Sequence, residues 1–105
     1  MSDSIYKYII YKCGKCDAEN PIVFCAKTEH KDEYNALKRT IEKPILVSAG
    51  QMTIIPEVKE LICNGESQSL NVKSREQDTD LVKDYFDRLS LWEAIERTHD
   101  EIHSL

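Results

Sequence analysis

No stretch of this chain approaches the ~18 consecutive apolar residues that a membrane-spanning helix needs, so no transmembrane segment is expected. Positive charge is not in excess either. Fourteen basic side chains stand against nineteen acidic ones, a formal charge of −5, and no basic stripe is visible. Binding to nucleic acid through neutralised phosphates is therefore not expected. The N-terminus, Met1-Ser2-Asp3-Ser4, lacks the basic and apolar regions of a secretory signal, which implies a cytoplasmic protein. In such a setting the four cysteines read as reduced thiols or metal ligands before disulfides. Internal repeats, low-complexity segments and linkers are also missing. What remains is a 105-residue chain, long enough for one hydrophobic core and too short for two.

The apolar patterning predicts an α+β domain, a mostly antiparallel sheet with flanking helices. Residues 5–13 are aromatic and β-branched, a strand covered on both faces in which Lys7 is the odd residue. A turn over 14–21 leads to a second strand at 22–26, the expected hairpin partner of the first. Acidic residues after Thr28 open a helix that carries Tyr34, Leu37 and Ile41 on one stripe, and Pro44 stops it. A short strand at 45–47 reaches a small-residue turn at Ala49-Gly50. A hairpin of 51–55 and 58–63 follows, turning at Pro56-Glu57. After the Gly65–Ser69 loop, residues 70–73 form another strand. Ser74 and Gln77 have the spacing of a capping box for a helix that buries Leu81, Val82, Tyr85, Phe86 and Leu89. Ser90 and Glu93 repeat that spacing ahead of a last helix with Trp92, Ile95, His99 and Ile102 near one face. The expected division is a domain over 1–90 and a helical extension over 91–105, which offers a face for a homodimer.

Three constellations carry chemistry. Cys13-x-x-Cys16 has the shape of a zinc knuckle, with Cys25 and His30, or Cys63, as further ligands. On this reading zinc is the cofactor and the protein a small binding module. His99 and His103 share a face at i and i+4, without an evident third ligand. The other constellation combines Lys7, His30 and the loop Gly65-Glu66-Ser67-Gln68-Ser69. At a helix N-terminus His30 is held neutral and nucleophilic. Lys7 can offset charge on a phosphoryl group, and the loop can offer N–H and hydroxyl donors to it. That scheme needs no metal.

These landmarks, in this order, resemble the Janus/Ocnus-type phosphohistidine phosphatases. The matched features are a lysine inside the apolar first strand (Lys7-Tyr8-Ile9-Ile10), a histidine just before the first helix (Glu29-His30-Lys31-Asp32), a small-residue turn (Ala49-Gly50), and a hairpin ending in a Gly-x-Ser loop (Gly65-Glu66-Ser67, continuing through Ser69). The resemblance covers about Ile5 to Asn71. It implies catalytic His30 and Lys7, phosphate held by Gly65, Glu66, Ser67, Ser69 and Gln51, no cofactor, and a phosphorylated protein or small phosphoryl ligand as partner. The chain departs from the family at Gln51, where an arginine is usual. It departs again at Asn64, often aromatic, and at Asn71, where a glycine is replaced by a residue that can still adopt positive φ.

Overall fold

The computed structural model describes residues 4–14 and 17–94. The first strand, β1 (Ser4–Lys12), lies inside a four-stranded antiparallel sheet in the order β2-β1-β3-β4, with β2 (Glu19–Cys25), β3 (Ile45–Ile55) and β4 (Glu60–Asn64). Helix α1 (His30–Thr40) covers one face. Helix α2 (Asp78–Arg88) covers the other. A two-stranded hairpin of β5 (Glu66–Ser67) and β6 (Val72–Lys73) lies on the α1 side, where Val72 packs against the core. This is the α+β architecture with a mostly antiparallel sheet that the patterning predicts.

The strand period of two explains the doubly apolar β1. Tyr8 and Ile10 join Met52, Ile54, Leu61 and Cys63 beneath Val82, Phe86 and Trp92 on the α2 face, while Ile9 packs with Phe24 and Ala49 on the α1 face. Tyr8, Ile9 and Ile10 are all fully buried. A bulge where Ile10 and Tyr11 pair with Ser48 and Leu46 leaves Val47 as the extra residue of β3. Val47 packs on the α2-side core and Leu46 on the α1-side core, which accounts for the continuous apolar run over 45–47.

Several details differ from the sequence-based expectation. Residues 45–55 are one strand, with no turn at Ala49-Gly50. Gly50 is needed there for a different reason, because a Cβ would collide with the backbone carbonyl of Asn64. The β3–β4 hairpin turns through a 3-10 segment at Pro56–Val58 and a left-handed Lys59, which delays β4 to Glu60. Ser74 and Gln77 do not form the capping box. Instead the Arg75 amide donates to the Asp78 carboxylate at 2.9 Å in the turn that leads into α2, whose cap residue Gln77 makes no side-chain cap bond. Leu89 is exposed, because the buried seam of α2 runs Asp78, Val82, Phe86 and passes it by. α2 ends before a left-handed Ser90, and residues 91–94 are helical again.

Trp92 belongs to the core and not to an exposed face. It is buried, packs against Phe86 with ring centroids 5.0 Å apart and planes tilted by 59°, and donates its indole N–H to Asp87 at 2.7 Å. The chain is therefore part of this core at least to Trp92. The remaining residues of the expected homodimer face, Ile95 and Ile102, and the pair His99 and His103, lie outside the described residues.

A candidate phosphoryl-binding cleft

Sheet register builds the floor of the site. Lys7 pairs with Gln51 and Gln51 with Asn64, so the three stand on one rung of the sheet, facing the α1 side. Gly65 follows Asn64 directly. The loop before α1 then carries Glu29 and His30 over this rung. An open cleft of about 340 Å³ results, lined by Lys7, Glu29, His30 and Gln51 on one side and by Gly65, Glu66, Gln68 and Ser69 on the other.

His30 is the buried group of the cleft, only 3% exposed. Its Nε2 lies 2.9 Å from the Gly50 carbonyl oxygen, and Phe24 meets the ring edge-on at 5.5 Å. A carbonyl can only accept, so Nε2 carries the proton and Nδ1 keeps the lone pair. Burial holds the pKa of His30 below its ordinary value, and the charge of Lys7 adds to that. The Gly50 bond and Glu29 act in the opposite direction, but burial is the larger effect. The ring is neutral near pH 7.

Lys7 donates to the Thr28 carbonyl at 2.9 Å. An ammonium has three donors, so this bond anchors the side chain and leaves capacity for a ligand. Its location at the middle of a buried strand is thereby explained by the cleft. Gln51 donates from Nε2 to the Glu66 carbonyl at 3.3 Å and ties β3 to the loop. Gly65 has φ +78°, and a Cβ there would strike the Gln51 side chain. The loop therefore requires glycine both for its backbone and for its space. Asn71 takes the left-handed conformation, at φ +56°.

The two loop serines have different positions. Ser69 lines the cleft, and its Oγ accepts from the Lys31 amide in the first turn of α1 at 3.1 Å. Ser67 does not line it. Its side chain is buried, and Oγ accepts from the Leu70 amide at 3.2 Å, which fastens the β5–β6 turn. Of the candidate residues, the fold thus brings Lys7, His30, Gln51, Gly65, Glu66 and Ser69 together and leaves Ser67 out as a turn residue. Glu29 and Gln68, which line the cleft, are not among the residues that the resemblance assigns to catalysis or phosphate. Glu29 was adjacent to His30 all along, and Gln68 stood between the two serines, so position alone was the available signal.

The alternative metal set is not assembled. Cys25 is opposite Tyr6 in the β1–β2 register, while Cys13 follows the far end of β1. Seven residues of strand separate them, roughly 23 Å at about 3.3 Å per residue, so the two thiols cannot share an ion. Cys63 is on the α2 face, where burial first and Asp78 second push its thiol up to about 12. At that value it is a core residue and a poor ligand or nucleophile. Cys16 lies outside the described residues. Among the described residues no group of three or more His, Cys, Asp or Glu side chains is arranged to hold a metal ion.

Comparison with protein-family models, with curated proteins and with solved structures finds no match to this chain.

Proposed function

We propose that this cleft binds a phosphoryl group and that the protein hydrolyses phosphohistidine-type phosphoramidates through His30, with no metal in the scheme. The observation that carries the reading is the state of His30: buried, neutral, held by the Gly50 carbonyl through Nε2, and beside the ammonium of Lys7. Nδ1 is then the nucleophile. It bonds to phosphorus as the substrate P–N bond breaks, and the departing nitrogen takes a proton from water. A second water releases phosphate from Nδ1 and restores the ring. Lys7 offsets charge on the equatorial oxygens. The positive end of α1, which begins at His30, acts in the same sense. Ser69, Gly65 and Glu66 border the same space. Glu29 and Glu66 also line the cleft.

The test is phosphate release from a phosphohistidine peptide by wild type and by His30→Ala, without added metal. Wild type is expected to turn over, and the variant to lose roughly a thousandfold or more in kcat/KM. A folded His30→Ala protein, checked by circular dichroism, that retained activity would overturn the reading.

A further inference from the structure

One rung along the sheet from the cleft floor, on the same face, Ile5 pairs with Thr53 and Thr53 with Ile62. Ile5 is 62% exposed and Ile62 53% exposed, although both belong to strands of the main sheet. The parity is fixed by neighbours on each strand. Lys7 and Ile9 share Ile5's face, Gln51 shares that of Thr53, and the α2-side core takes Met52, Ile54, Leu61 and Cys63 instead. The step from the Lys7–Gln51–Asn64 rung to the Ile5–Thr53–Ile62 rung is two residues, roughly 7 Å. A side chain in the cleft and a neighbour of that side chain in an extended peptide are separated by a similar distance.

Ile5 and Ile62 do not belong to the α1-side core, which among the described residues is built on Ile9, Phe24 and Ala49. Two isoleucines and a threonine expose far less than the roughly 800 Å² per partner of a stable protein interface. They match the size of one apolar side chain. Isolated exposed isoleucines need no explanation, but a row of them adjoining the cleft is continuous with the surface on which a bound substrate rests.

From this placement we infer that the Ile5–Thr53–Ile62 row is a subsite for an apolar side chain of a peptide whose phosphorylated residue occupies the cleft. The inference rests on the phosphoryl-transfer reading and narrows it: the substrate is a polypeptide with an apolar residue about two positions from the phosphorylated one, and not a small phosphoryl metabolite.

The experiment compares three probes on wild type and on Ile5→Ser/Ile62→Ser: phosphoimidazole, a phosphohistidine peptide with leucine two residues away, and the same peptide with alanine there. Both substituted positions are exposed, so the variant is expected to fold, and its rate on phosphoimidazole checks this. Wild type should show a KM for the leucine peptide roughly tenfold below that for the alanine peptide. The variant should lose that difference, with kcat and the phosphoimidazole rate unchanged. Turnover of phosphoimidazole with equal KM for the two peptides in wild type overturns the subsite alone. No turnover of any probe by wild type overturns the cleft reading, and the subsite with it.

Discussion

Replacing Asp78 by alanine should be among the most damaging single changes outside the cleft. Asp78 is fully buried. One carboxylate oxygen accepts from the Tyr8 hydroxyl at 2.7 Å and the Arg75 amide at 2.9 Å, and the other accepts from Arg75 Nε at 2.8 Å. Arg75 in turn meets Glu19 of β2 at 2.8 Å and 3.2 Å. One residue therefore ties the start of α2 to the centre of β1 and, through arginine, to the edge strand. Removing one member of a buried charged network costs about 3–5 kcal/mol. At roughly 5 °C per kcal/mol for a domain of this size, the melting temperature should fall by about 15–25 °C. Tyr8→Phe removes only the hydroxyl and should cost about 1–2 kcal/mol. Thermal and urea unfolding followed by circular dichroism measure both, and the double variant should be less destabilised than the sum because the two groups are in contact. A loss below about 1 kcal/mol in Asp78→Ala would refute the argument. So would a Tyr8→Phe cost equal to that of Asp78→Ala, since the arginine contacts would then contribute nothing.

Two further outcomes concern the cleft. Because His30 has a depressed pKa in the folded state, the unfolded chain binds the extra proton first, so stability is complete above the ordinary value near 6.5 and declines as pH falls below it. Urea midpoints measured from pH 8 to 5 should show this slope in wild type and a flatter one in His30→Gln; identical slopes would mean that His30 is not held neutral by burial. Gly65→Ala meets a left-handed backbone and the Gln51 side chain together, so it should cost about 1–3 kcal/mol and weaken binding of inorganic phosphate, measured by calorimetry. Unchanged affinity would separate that loop from phosphate binding.

Tyr8 links the anchor to the site. It is the register partner of Gly50, whose carbonyl holds His30, and it lies on the face opposite Lys7. The α2 network therefore backs the floor of the cleft from the other side of the sheet. The acidic side of this network has its own pH signature in Glu19, whose carboxyl is held below the usual range by its hydrogen bonds to Arg75.

The sequence by itself determined the fold class. The apolar run that Lys7 interrupts, the stripe of α1 and the apolar residues of α2 are local patterns, set by the periods of strand and helix. It also placed His30 at a helix start, since that depends on neighbours in the chain. Tertiary structure alone decided the rest. Gly50 reads as a turn glycine until β4 comes against β3 and its missing side chain proves to make room for the Asn64 carbonyl. Ser67 and Ser69 are indistinguishable in sequence, yet the β5–β6 pairing buries one and turns the other to α1. Trp92 reads as an amphipathic surface residue until Phe86 covers it. Cys13 and Cys25 look close enough to share an ion until antiparallel pairing puts them at opposite ends of one hairpin. In each case the outcome depends on which strand lies beside which and in what register, a property of contacts far apart in the chain that no local pattern encodes.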